Sequence, residues 1–145
     1  MRRLVKQLFT GILLLAAQPL LGQSGENDRT VYLPLSNVMD AAGMATVITS
    51  KGRPADCIAP VAVTTIDGKK VVVPAKGFLI EPGTHSINGK ATLDMTSCPL
   101  DDSNPDIGSM ADLEVNFMPG NTYFIGFYHK PANTLEWKLV VWHVE

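Results

Sequence analysis

From Thr30 onward the chain is cut into short apolar runs by turn residues about every 8–14 positions, and this punctuation limits its fold more than any other feature. Ten Pro and twelve Gly in 145 residues leave little room for long helices. Val31, Leu33 and Leu35 alternate in Thr30–Leu35, a first strand ending near Pro34. Asn37–Met44 reads as a single helical turn capped by Asn37 and stopped at Gly43. Ala45–Ser50 is β-branched and extended, and Lys51-Gly52-Arg53-Pro54 turns the chain. In Ile58–Ile66, alternation places Val61, Val63 and Thr65 on one face, and Pro60 confines the start of that strand to an edge. Asp67-Gly68 is the strongest hairpin signal, joining Thr64–Ile66 to a return strand Lys69–Val73.

The second half reads in the same way. Phe78-Leu79-Ile80 is a short apolar run closed by Glu81-Pro82-Gly83, whose residues suit a type II turn. Thr84–Met95 is extended, with Asn88-Gly89 as an expected interruption, and Cys98–Ser109 reads as a surface loop. Leu113, Val115 and Phe117 alternate with polar residues in a half-buried strand, and Met118-Pro119-Gly120-Asn121 turns into the aromatic-rich strand Thr122–His129. Leu135–Val144 becomes apolar on both faces through Val140 and Trp142, which predicts a central position. The fold class expected is all-β: an antiparallel β-sandwich of about seven or eight short strands.

Met1–Gly22 carries a cationic start (Arg2, Arg3, Lys6) and an apolar run from Leu8 to Leu21, too short to span a bilayer, which needs about 20 apolar residues. It reads as a cleaved export signal, cut at the Gly22–Gln23 bond, with residues 23–29 as a flexible leader and 30–145 as a single domain. Removing residues 1–22 leaves 9 Lys+Arg against 14 Asp+Glu, a formal charge of −5. An acidic chain has no electrostatic grip on phosphates, so no nucleic-acid partner is expected, and no integral membrane segment after processing. The localisation expected is periplasmic or secreted.

Cys57 and Cys98 are the two cysteines, and an even number in an exported chain of this size means a disulfide. It closes a loop of roughly 40 residues, for which chain entropy gives about 4 kcal/mol. A redox-active pair would sit as Cys-x-x-Cys, which this spacing is not.

Thr65-Ile66-Asp67-Gly68-Lys69-Lys70 followed by Phe78-Leu79-Ile80-Glu81-Pro82-Gly83-Thr84-His85 resembles the strand, Asp-Gly-Lys, strand, Pro-Gly-x-His, strand layout of PEGA-like domains and similar small bacterial periplasmic proteins. Met118-Pro119-Gly120-Asn121-Thr122-Tyr123 is similar to the Gly-x-x-Tyr turn of the latter group, as is the Trp-containing strand around Glu136-Trp137-Lys138. The resemblance implies a β-sandwich used as a structural or adhesive envelope module, with no catalytic residues to carry over. The chain departs from the short PEGA pattern in its length and its cysteine pair.

Of the chemistries available, a Ser–His–acid triad lacks a Gly-x-Ser-x-Gly elbow or a comparable nucleophile context. His129 and His143, near the ends of adjacent strands, are the metal candidates, together with Asp101, Asp102 and Asp106 in one loop. Their spacing matches no His-x-His or calcium-loop order, so the bland reading puts His85 in a turn and His129 and His143 at strand ends. No catalytic residue, metal or cofactor is expected. Phe124, Phe127, Tyr128, Trp137 and Trp142 gather in the C-terminal third, either as cross-strand core or as an exposed platform for a glycan or peptide. The function expected is that of a non-enzymatic envelope domain acting through protein or surface contacts, its partner an envelope protein or cell-surface component. The alternative is a small-ligand carrier with a pocket lined by some of Phe117, Phe124, Phe127 and Trp137.

Overall fold

Alternation and turn chemistry produce ten strands in the computed structural model, which describes residues 31–35, 42–91, 93, 96–99, 111–130 and 137–145. They are β1 (Tyr32–Pro34), β2 (Ala45–Ile48), β3 (Ile58–Ala59), β4 (Val61–Ile66), β5 (Lys69–Lys70), β6 (Gly77–Ile80), β7 (Gly83–Ala91), β8 (Leu113–Phe117), β9 (Thr122–Tyr128) and β10 (Lys138–Val144). The signal and leader (1–29), the start of the helical turn at Asn37, the aspartates 101–106 and the beginning of the Leu135 strand lie outside the described residues.

The strands form two sheets, the sandwich expected from sequence with more and shorter strands. One has the order β1-β6-β2-β9-β10, with β3 also paired to β9; the other has the order β5-β4-β7-β8. All pairs are antiparallel except β2 with β9, where Val47 lies beside Tyr123 in a parallel ladder. These strands are far apart in sequence, so no hairpin dictates their direction. Ala45, Val47, Phe78, Ile80, Tyr123, Ile125, Phe127 and Leu139 of the first sheet pack against Val61, Val63, Ile66, Ile87, Val115 and Phe117 of the second. Each large apolar side chain removed from water contributes about 1.5–3 kcal/mol before entropy is counted.

Several turns do something other than expected. Asp67 and Gly68, with φ of 51° and 73°, close the β4–β5 hairpin with Ile66 opposite Lys69, as the two-residue type I′ turn requires. The return strand stops at Lys70, however, and Val72 is exposed. Glu81-Pro82-Gly83 does not fold β6 back on itself. It carries the chain from the first sheet to the second, with Gly83 at φ 122°. Met118–Asn121 makes the reverse crossing from β8 to β9. Pro60 stands at a third crossing: Ala59 pairs with Phe127 in one sheet and Val61 with Ala91 in the other. Having no N–H, proline suits the point where the ladder changes partner.

Two register slips correct the sequence reading further. Thr64 is an extra residue in β4, between Val63 opposite Gly89 and Thr65 opposite Asn88. The bulge advances the phase by one residue, so Ile66, not Thr65, joins Val61 and Val63 in the core. Asn88-Gly89 does not interrupt β7, because a Cβ at Gly89 would stand 2.5 Å from the Ala62 carbonyl and glycine allows the close approach. The C-terminal strand β10 is an edge strand, not a central one. Leu139 is buried, whereas Val140, Val141 and Trp142 are half-buried.

Cys57 and Cys98 form the expected disulfide, with Cα atoms 5.7 Å apart and 41 residues between them in sequence. Cys57 ends the short 3-10 turn Pro54–Asp56 just before β3, and its carbonyl accepts the His129 N–H at 2.9 Å. The bond therefore ties the segment beyond β7 to the point where β3 and β9 meet.

Candidate functional site

The aromatic cluster divides between the two faces of β9. Phe127 points into the sandwich, 1% exposed, with Trp137 edge-on at 6.1 Å and the His129 ring stacked at 6.3 Å. Trp137 donates its indole N–H to the Lys130 carbonyl at 2.9 Å. These residues close one end of the core. Phe124 lies on the opposite face of the strand, beneath Trp142 at 5.2 Å and His143 at 5.3 Å, with the Lys51 ammonium 5.7 Å from the ring centroid. That distance is within cation–π range.

Of the five aromatic residues in the cluster, Phe124, Tyr128 and Trp142 thus share the outer face of the first sheet. Gly126 sits between Phe124 and Tyr128, and a Cβ there would stand 3.3 Å from Trp142 Cδ1, so the indole lies across the glycine. A bulge between Val141 and His143 sets Trp142 out of register with β9. Its indole nitrogen is buried without a hydrogen-bond partner among the described residues, an arrangement that costs about 1–3 kcal/mol. Tyr128 and Trp142 are half-buried, each presenting part of its ring to solvent. Tyr128 also borders an open depression of about 310 Å³ lined by Ala55, Asp56, Cys57 and Lys130. Asp56 is already engaged there, by Arg53 at 2.8 Å.

The histidines are not brought together. His129 is buried directly after β9, while His143 is exposed and opposite Phe124, with Glu145 at 3.9 Å. Five residues of β9 separate the two levels, about 17 Å at the strand rise. Among the described residues no group of three or more His, Cys, Asp or Glu is placed to hold a metal.

His85 is not in a turn. It is an inward-facing residue of β7, 8% exposed, opposite Val115. Its Nδ1 lies 2.7 Å from Asp67 Oδ2 and its Nε2 lies 3.0 Å from the Glu81 carbonyl oxygen, both at hydrogen-bond distance. Asp67 Oδ1 accepts the Ser86 N–H at 2.9 Å. Burial pushes the pKa of the Asp67 carboxyl up, but the hydrogen bonds from His85 and Ser86 and the charges of His85 and Lys69 outweigh it, and the net direction is down. The pair has the Asp–His half of a triad, yet the nitrogen that a nucleophile would need is held by the Glu81 carbonyl. Sequence reasoning missed this cluster. The signal was alternation read backwards from Ile87, which puts His85 on the buried face.

What fold and site define is a two-sheet, disulfide-braced β-sandwich with an aromatic patch on one outer face. The chain matches none of the protein-family models, curated proteins or solved structures with which it was compared.

Proposed function

We propose that this is an exported, non-enzymatic domain of the bacterial envelope that works through protein or surface contacts made by the outer face of its first sheet. The observation that carries the reading is the half-exposed pair Tyr128 and Trp142 flanking Gly126, with Tyr128 bordering the depression that Cys57 also lines. Aromatic rings with one wet edge offer large contact area at low entropic cost, which is why they concentrate in interfaces. A disulfide between distant segments suits an oxidising compartment and agrees with the signal-like residues 1–22. The carrier alternative is weakened by the division of its pocket residues. Phe117 and Phe127 pack in the core, Trp137 plugs its end, and Phe124 faces the other way.

The test is expression in a two-membrane bacterium with a photo-cross-linking amino acid at position 128 or, for comparison, at Glu114 on the second sheet. The reading expects a periplasmic or released protein trimmed after Gly22, and an adduct with an envelope component from position 128 that position 114 does not give. Retention in the cytoplasm, equal adducts from both positions, or turnover in an unbiased hydrolase panel would overturn it.

A further inference from the structure

A buried imidazole with two acceptors at hydrogen-bond distance is over-subscribed. Asp67 Oδ2 and the Glu81 carbonyl oxygen can only accept, so both ring nitrogens of His85 must donate, and only the doubly protonated ring has two N–H groups. We propose that His85 is a proton-operated latch: doubly protonated, it ties the Asp67–Gly68 hairpin to the β6–β7 crossing, and on losing one proton it releases the crossing while keeping the hairpin. This inference is independent of the functional reading given above.

The direction of release follows from the strength of the two acceptors. A neutral ring has one N–H to place. Facing a lone pair toward the Asp67 carboxylate at 2.7 Å opposes a full negative charge, whereas facing it toward the Glu81 carbonyl at 3.0 Å opposes only a dipole. The proton stays on Nδ1, and Nε2 becomes a second acceptor pressed against the carbonyl oxygen. The Glu81 peptide is also the anchor of the first strand, since its N–H donates to the Val31 carbonyl at 2.9 Å. Letting go of Glu81 therefore slackens the attachment of β1, a three-residue strand at the sheet edge.

The ionisable groups around the ring are distributed to favour this behaviour. Asp67 and Lys69 come from the hairpin and Glu81 from the crossing. On the β8 side, Asp112 accepts from Ser86 Oγ at 3.0 Å, and Glu114 lies opposite Ser86. The Phe117 ring, 6.1 Å away, shields the inner face, with Tyr123 of β9 behind it at 4.8 Å. The Asp67 carboxylate lies 2.7 Å from Nδ1 and favours the tautomer that keeps the proton there.

The experiment is ¹⁵N and ¹³C NMR of the purified wild-type protein across the range in which imidazoles titrate, roughly pH 5–8. The expected result is a His85 ring with both nitrogens protonated at the acid end and with Nδ1–H alone at the basic end. The Glu81 carbonyl and the Glu81 and Tyr32 amide signals should move with the same midpoint, while Gly68 stays in place. In Asp67→Asn the side-chain amide donates to Nδ1, the neutral ring keeps Nε2–H, and the Glu81 carbonyl should stop responding. A ring with unchanged protonation across the range, a neutral wild-type ring protonated on Nε2, or Glu81 signals that ignore the His85 midpoint would overturn the latch.

Discussion

Asp67 and His85 lie 18 residues apart in sequence and 2.7 Å apart in the fold, joining the tip of the β4–β5 hairpin to the third residue of β7. The contact makes stability depend on acid. Because the folded protein holds the Asp67 carboxyl below its ordinary value of 3.8, its contribution is complete above that value and is lost as pH falls through the lower, folded one. Urea midpoints measured from pH 5 down to pH 2 should drop for the wild type, and Asp67→Asn should remove part of that drop. Equal slopes for the two proteins would count against the assignment.

Opening the disulfide should cost more than any single surface change. Replacing Cys57 and Cys98 together by alanine frees a loop with 41 residues of sequence separation, worth about 4 kcal/mol on the chain-entropy estimate. Denaturant unfolding of the double variant should show a loss of about 2–5 kcal/mol, with a larger m-value because the freed loop lets the unfolded chain expand. A loss below about 1 kcal/mol would mean that the crossing at Pro60 is held by packing alone.

The two turns rich in proline and glycine show where sequence legibility ended. Asp67-Gly68 was readable because positive φ at both positions is a local demand that only certain residues meet. Leu113–Phe117 was readable because a half-buried strand prints its burial as alternation. Glu81-Pro82-Gly83 and Met118–Asn121 specify local bends equally well, but local angles do not say which sheet the next strand will join. The bulges at Thr64 and Trp142 were hidden for a related reason, since packing across the sandwich selects the residue to be squeezed out. The division of the aromatic cluster was legible in principle, because Phe124 and Phe127 are three apart on a strand and must face opposite ways.

Glycine 89 offers a contrast between crowding and conformation. An alanine there would put its Cβ 2.5 Å from the backbone oxygen of Ala62, where nothing can swing aside. At Gly68 a Cβ meets open space and only the φ of 73° resists it. Gly89→Ala should therefore cost about 1–3 kcal/mol by overpacking, and Gly68→Ala about 1–2 kcal/mol from the left-handed backbone. Thermal unfolding of both variants checks the order, and a Gly68 variant less stable than the Gly89 one would contradict the close approach of β4 and β7.

Truncating the aromatics one by one separates core from contact surface. Phe127→Ala removes a ring that is 1% exposed and packed on Trp137 and His129, so it should cost about 3–5 kcal/mol of folding stability. Tyr128→Ala, one residue further and on the opposite face, should change stability by about 0.5 kcal/mol or less while weakening capture of the envelope partner. Trp142→Ala lies between these cases: it uncovers Phe124 and Gly126 but also removes a buried indole N–H that has no hydrogen-bond partner among the described residues, so the two effects oppose each other. Unfolding free energies set beside cross-linking yields for the three variants make the comparison. If Tyr128→Ala proved as destabilising as Phe127→Ala, with yields falling only in proportion to the folded fraction, the outer face would be structural and the contact surface would have to lie elsewhere.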